Sequence, residues 1–325
     1  MKKKKALLTE GGFKLHEGMG ARDHLRQDWK TTTTIWMTDA VKNAAQKHWK
    51  AFTNEDGVGG IREGTMRAEE SVYSGTYSVF NIELAYFIVK RYAPKKAKIL
   101  DAFAGGPPRG LAVAWVNSEL EEKDKHTYFG YDVSVKQISH NHEVARDLNV
   151  STHVRYQLED ARNISKYDRK YTFAMTCPPY FDLEVYSDQD NDISNAASYE
   201  EFNKAMFEIA RQHKKVMKAG SFVVMIIGNV RNKKTGELYN LVGDAITNFK
   251  ANGFMYWDDP VLSKPSGSAA IRAANSWSGK KLVRTHENVL IFKKPEKKGK
   301  KDATKRTSKR SKTGGAGSDK NKGKR

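Results

Sequence analysis

The chain has almost no cysteine. Cys177 is the single one in 325 residues, so no disulfide can close within the chain and no multi-cysteine zinc site can be assembled from it. Long apolar runs are missing too: a run such as Phe222 to Ile227 stops far short of the roughly 18 residues that cross a bilayer. Met1 to Lys5 is basic but leads into no apolar stretch of signal-peptide length, which points to the cytosol and away from secretion or a membrane. Acids are scarce beside bases, 38 against 57, for a formal net charge of +19.

What is present begins with where that charge lies. From Lys293 to Arg325 there are 15 Lys and Arg against three acids, a net of +12 that leaves +7 for the rest. A polyanion is the natural partner, because each phosphate neutralised by Lys or Arg releases a condensed counterion. The same tail has no aromatic and no large aliphatic residue. It cannot bury enough surface to offset its ordering entropy, so residues 294–325 are expected to be disordered and to attract nucleic acid without specificity.

The remainder divides in two. Residues 1–60 are polar, with one stretch of helical spacing from Thr38 to Phe52 and a glycine cluster at Gly57, Gly59 and Gly60, and are expected to form an accessory segment. Residues 61–293 carry the pattern of one α/β domain. Helices are predicted over Phe80–Tyr92, Arg109–Leu120, Ser134–Leu148, Tyr199–Lys218 and Leu238–Asn252, with Gly220 and Gly253 closing the last two. Strands are predicted over Ala97–Phe103, Thr127–Asp132, His153–Leu158, Tyr171–Thr176, Ser221–Gly228 and Glu287–Lys293. Strands that alternate with helices of this length imply a mostly parallel sheet with helices on both faces.

Where the first of these strands runs into a helix, the sequence reads Asp101-Ala-Phe-Ala-Gly-Gly-Pro-Pro-Arg-Gly110. Such strand ends form the ligand crevice of an open parallel sheet. Gly105 and Gly106 allow close backbone approach, and the helix start beyond them presents N–H groups to an anion such as a cofactor carboxylate. The phosphate loop and the three-glycine dinucleotide fingerprint are both absent, which disfavours ATP and NAD. Asp132 ends the next strand, well placed to accept ribose hydroxyls, and Asp160 follows the one after. Capping of the helices that begin beside them is the simpler role for either acid.

Strand Tyr171–Thr176 continues into Cys177-Pro178-Pro179-Tyr180. Two prolines stop a strand and fix an extended turn, which keeps their carbonyls out of a helix or ladder. Acceptors beside an aromatic ring are what amino methylation of a base requires. The nitrogen lone pair is delocalised into the ring, and it becomes nucleophilic only when its hydrogens are held and drawn out of plane. A base reaches such a pocket by leaving the duplex, and stacking on Tyr180 helps to compensate that loss.

These motifs resemble the DNA amino-methyltransferases, the N6-adenine and N4-cytosine group, and within it the phage and prophage-type enzymes with an Asp-x-Phe-Ala-Gly-Gly-x-x-Arg-Gly turn. The resemblance runs from about Ser74 to Lys293 and includes Ser78-Val-Phe-Asn-Ile82, Tyr131-Asp132, Asp160-Ala161, Ile227-Gly-Asn-Val-Arg231 and His286 to Phe292. It implies a Rossmann-like methyltransferase fold with an antiparallel last strand and S-adenosylmethionine as cofactor. The expected partner is double-stranded DNA with a flipped target base, in a bacterial or phage-infected cytoplasm. By the same resemblance Asp101, Phe103, Ala104, Gly105 and Gly106 line the methionine part, Asp132 holds the ribose and Asp160 the adenine. Phe80 and Asn81 close the site, and Cys177, Pro178, Pro179 and Tyr180 carry catalysis.

Two departures stand out. The family usually has Asp, Asn or Ser at the position of Cys177, and a thiol is a poor acceptor. The Pro178 carbonyl with Thr176, or an acid such as Asp182, is then expected to hold the amine. The turn also has Ala102 for the usual proline, and carries Pro107-Pro108. Short insertions must read the target, and the candidates are Asp182–Ala197, the basic loop Arg231–Glu237, and Ser263–Arg284 with Lys264, Arg272, Lys280, Lys281, Arg284 and Trp277. RNA methylation, and a noncatalytic nucleic-acid-binding module disabled at Cys177, are the alternatives.

Overall fold

The computed structural model describes residues 6–8, 14–16, 35–37, 80–181, 189, 191–232, 234–263, 273 and 276–296. The expected helix Thr38–Phe52, the glycine cluster at 57–60, Ser78-Val79, Asp182–Tyr186, Lys264, Arg272 and the tail from 297 onward lie outside the described residues.

Three short strands come first: β1 (Ala6–Leu8) and β2 (Lys14–His16), which pair with each other, and β3 (Ile35–Met37). The α/β alternation follows as α1 (Ile82–Tyr92), β4 (Lys98–Asp101), α2 (Pro108–Ser118), β5 (Thr127–Asp132), α3 (Val135–Asp147), β6 (Val154–Leu158) and β7 (Tyr171–Thr176). Then come α4 (Tyr199–Val216), β8 (Met217–Ile227), the small hairpin of β9 (Val230–Arg231) and β10 (Leu238–Tyr239), α5 (Leu241–Ala251), β11 (Met255–Asp258), β12 (Val261–Ser263) and β13 (His286–Lys293).

The main sheet has the order β3-β12-β13-β8-β7-β4-β5-β6, with β11 also paired to β13. Strands β6, β5, β4, β7 and β8 run parallel, and β13 lies antiparallel between β8 and β12. This is the Rossmann-like, mostly parallel sheet with an antiparallel strand that the resemblance implied. Alternating side chains divide between two cores, as the period of two in a strand requires. Ile99, Tyr128, Phe173, Met175 and Val224 pack with α1, α2 and α3 on one face. Leu100, Phe129, Tyr131, Ala174 and Met225 pack with α4 and α5 on the other. Each fully buried large side chain of this kind contributes roughly 1.5–3 kcal/mol of transfer free energy.

Local chemistry explains most boundaries. Asn81, Ser134, Ser198 and Asn240 each accept an N–H of the first turn of the helix that follows, so α1, α3, α4 and α5 start where the sequence supplies a cap. Two expectations need correction. The helix expected to run to Lys218 and close on Gly220 ends at Val216. Met217 already pairs with Tyr171, and Gly220 (φ +79°) sits inside β8, donating to the Lys294 carbonyl at 2.9 Å. Lys294 Nζ meanwhile donates to the carbonyls of Lys214 and Met217 at 2.5 and 2.6 Å, which closes α4 without a glycine. The helix expected from Leu238 begins at Leu241, because Leu238 and Tyr239 pair with Arg231 and Val230.

The crossovers place the site. From β4 the chain moves outward to β5 and β6, then returns to set β7 on the opposite side of β4, with Ile99 opposite Phe173 and Leu100 opposite Ala174. The strand order therefore switches between β4 and β7, and a crevice opens at the carboxyl ends of those two strands.

Candidate active site

Both motif turns leave the sheet at that crevice. Asp101 ends β4 and Thr176 ends β7, on neighbouring parallel strands in the register just given, so residues 102–106 and 177–180 lie side by side. Had β7 been placed beyond β6, the widths of both β5 and β6 would have separated them.

The glycine turn is built on a buried ion pair. The Asp101 side chain is fully buried and accepts from Arg109 Nε at 2.5 Å, from the Tyr128 hydroxyl at 2.7 Å and from the Phe103 N–H at 3.2 Å. Arg109, also buried, donates to the Phe103 carbonyl as well, and its guanidinium lies 4.7 Å from the centre of the Phe80 ring. Burial opposes the charge on Arg109, and Asp101 beside it more than offsets this, so the guanidinium is held ionised above its ordinary value. Burial first, and Asp101 second, push the Tyr128 hydroxyl well above its own, so it stays a donor. Asp101 is thus engaged inside the protein and shapes the turn from below.

Above it, Gly105 takes φ +49°, and a Cβ there would meet nothing within 4 Å, which leaves open space over the turn. Its N–H donates to Asp132 Oδ2 at 2.8 Å, and its carbonyl accepts from Asn141 Nδ2 at 2.7 Å. Asp132 Oδ1 accepts from the Ser134 N–H at 2.9 Å. Each oxygen of Asp132 is used once and keeps a second lone pair. Burial raises the Asp132 carboxyl above its ordinary value against the pull of those two N–H groups.

The other expected cofactor residues are placed with different consequences. Asp160 takes the capping role: it accepts the Arg162 N–H at 2.8 Å, and the Arg162 guanidinium forks onto both its oxygens at 2.6–3.0 Å. Each oxygen of Asp160 thus receives two contacts from Arg162, with the Nε hydrogen shared between them. Asn81 caps α1 through Leu84 N at 2.7 Å, and Phe80 reaches the site as the cover on Arg109.

On the other side of the crevice, Pro178 and Pro179 are buried and Tyr180 is partly exposed, with its hydroxyl donating to Glu287 Oε1 at 3.2 Å. Phe181 packs below against Tyr199, Phe202 and Tyr239, ring centres 5.1–5.6 Å apart. Cys177 is partly buried against the α1–α3 core and within electrostatic reach of Arg109. The Thr176 hydroxyl is fully buried and has no hydrogen-bond partner among the described residues. Leaving such a group unmade costs about 1–3 kcal/mol.

Sequence reasoning did not find Tyr128, Asn141 or Glu287. Tyr128 and Asn141 read as ordinary strand and helix residues, and only sheet pairing brings them under and beside the turn. Glu287 is 107 residues from Tyr180 in sequence.

No curated protein matches the chain at a significant level. Among solved structures, TrmN from Thermus thermophilus is similar at 15% identity and TM-score 0.45, over 70% of this chain and 52% of that one, so this chain spans about half the length of TrmN. A SAM-dependent methyltransferase from Methanosarcina mazei is similar at 14% identity and TM-score 0.42, over 65% of this chain and 98% of that one. A protein described as a DNA modification methylase, also from Thermus thermophilus, is similar at 20% identity and TM-score 0.33, over 46% of this chain and 57% of that one. Residues 171–324, which begin at β7 and include Cys177-Pro178-Pro179-Tyr180, match the DNA methylase family model of the N6/N4 type.

Proposed function

We propose that the chain transfers a methyl group from S-adenosylmethionine to the exocyclic amino group of adenine or cytosine in DNA. The observation that carries this is the adjacency of β4 and β7, which sets the glycine turn beside the Pro-Pro-Tyr turn at the switch point of the sheet. Residues 61–293 are the catalytic domain in this reading, residues 1–60 an accessory segment and residues 294–325 a tail that attracts DNA.

The turn fits the cofactor. The open space over Gly105 and the remaining lone pairs of Asp132 suit a close-lying amino-acid end and a ribose with two hydroxyl donors. Phe103, Ala104 and Gly106 line the same turn, Asp160 would exchange part of its Arg162 fork for the adenine amine, and Asp101 acts by positioning. When bound, S-adenosylmethionine would supply an activated methyl group to the base nitrogen, with its thioether as the leaving group and the amine proton released to solvent.

The protein's own part is to hold the amine. Tyr180 presents a flat face for the flipped base, and the Pro178 carbonyl accepts an amine hydrogen. Cys177 stands where a stronger acceptor is usual, and the hydroxyl of Thr176, next in sequence, has no hydrogen-bond partner among the described residues. Labelled methyl incorporation into duplex DNA and into total RNA tests the proposal: label in DNA is expected, and label in RNA alone overturns it. The noncatalytic reading rests on Cys177, and it is favoured only if the unaltered chain is inactive and Cys177→Asp creates activity.

A further inference from the structure

Beyond Tyr180 the carboxyl end of the sheet continues into a surface that takes no part in the transfer itself. The β9–β10 hairpin leaves directly from the end of β8, and its turn meets the segment 276–281. A Cβ on Gly236 would lie 2.8 Å from Lys281 Nζ, and the Arg231 guanidinium donates to the Gly236 carbonyl at 2.8 Å. Two of the expected reading loops are therefore joined in space. Segment 276–281 closes on itself: Lys280, at φ +50°, donates to the Trp277 carbonyl at 3.0 Å and Lys281 to the Ser276 carbonyl at 3.2 Å.

This turn holds the backbone of Trp277 while its indole is 85% exposed, and Leu282 close by is 90% exposed. Lys234, Lys280 and Lys281 are exposed around them. Arg284 links this group to the catalytic ledge, since a Cβ on Gly228 would lie 3.9 Å from Arg284 Cδ, from Glu287 Cγ and from the Tyr180 hydroxyl. A face that merely keeps a protein soluble needs cations but has no use for an indole and a leucine set among them in water. A partner in which phosphates alternate with flat rings satisfies both at once.

We infer that this surface grips the DNA duplex beside the flipped base: Lys280, Lys281 and Arg284 contact phosphates, and Trp277 stacks into the gap that the departing base leaves. The inference rests on the amino-methyltransferase reading given above. Extrusion of a base costs its stacking and pairing, and a ring that fills the gap offsets part of that cost and slows the return. Trp277 is then a positioning residue whose loss affects the population of flipped base, whereas loss of Lys281 or Arg284 affects attraction to the backbone.

The test uses the full chain and a mixed-sequence DNA duplex, with binding followed across salt concentrations and methyl incorporation into unmodified genomic DNA and total RNA followed in parallel. Lys281→Ala and Arg284→Ala are each expected to reduce the slope of log affinity against log salt by about 1. Trp277→Ala is expected to leave that slope unchanged and lower the maximal rate on DNA about tenfold, with most of the rate retained in Trp277→Phe. Unchanged slopes in both cation variants, together with an unchanged rate in Trp277→Ala, overturn the surface and leave the methylation reading standing. An unaltered chain that labels RNA alone, or no nucleic acid, overturns that reading and the surface with it.

Discussion

The two sides of the crevice are built differently. The glycine-turn side is fastened from below by Asp101, Arg109 and Tyr128, all buried, and from beside by Asp132 and Asn141, so its shape is set before anything binds. The Pro-Pro-Tyr side is held by two prolines and by a hydrogen bond from Tyr180 to Glu287, with the Tyr180 ring partly exposed. A small cofactor gains affinity from a site that needs no rearrangement, whereas a base carried by a polymer must be admitted from outside. The difference teaches where stability and where turnover are lodged: changes on the first side should register in folding or cofactor affinity, and changes on the second in transfer.

The largest effect should follow Asp101→Ala. It leaves the Arg109 guanidinium buried without its carboxylate, and breaking a buried pair in this way costs about 3–5 kcal/mol, readable as a lower midpoint in urea denaturation. Tyr180→Ala comes next. Loss of a stacking platform worth roughly 1–3 kcal/mol should lower methyl transfer to DNA about tenfold or more, while the urea midpoint falls far less than in Asp101→Ala and the cofactor Kd by calorimetry stays near that of the unaltered chain. A large drop in the midpoint would break the contrast. Gly105→Ala sharpens it from the other side: the positive φ costs about 1 kcal/mol of stability, but the new Cβ enters the open space over the turn, so cofactor affinity should suffer more than folding.

Smaller effects follow from single groups. Tyr180→Phe removes the hydrogen bond to Glu287, worth about 0.5–1.5 kcal/mol, and should keep most of the transfer rate that Tyr180→Ala loses. Asp132 should leave a pH signature of opposite sign in folding and in binding. Because burial raises its carboxyl above the ordinary 3.8, the folded chain retains a proton that the unfolded chain has released in the interval between the two values. Its contribution to stability therefore falls as pH rises through that interval, and Asp132→Asn should flatten this component in denaturation curves taken at acidic pH. Cofactor affinity should instead weaken as pH falls through the raised value, since protonation removes an acceptor.

Much of this was legible from local pattern. The limits of β5 and β7 coincide with the expected strands, Thr127–Asp132 and Tyr171–Thr176, because apolar runs bounded by turn residues leave little choice. The glycine turn and the Cys177-Pro178-Pro179-Tyr180 turn were both read correctly as strand-end features. The end of α4 was misread because Gly220 is a helix stop by composition, and nothing local reveals that Lys294, 80 residues after Lys214, closes that helix instead. Asp160 shows the reverse: the bland role of cap was legible, and the Arg162 fork confirms how fully that role engages it.

By itself the sequence determined which segments become strands and helices, which turns lie at strand ends, and which residues were candidates for a cofactor and a base. Only the tertiary structure decided that β7 lies against β4 rather than beyond β6, that Tyr128 and Arg109 share Asp101, that Glu287 reaches Tyr180, and that Arg284 and Tyr180 both border Gly228. The reason is physical. Helix caps, prolines and apolar periods act within a few residues, whereas the order of strands in a sheet is selected by which distant pairings bury both faces at once, and an active site at a switch point exists only after that selection is made.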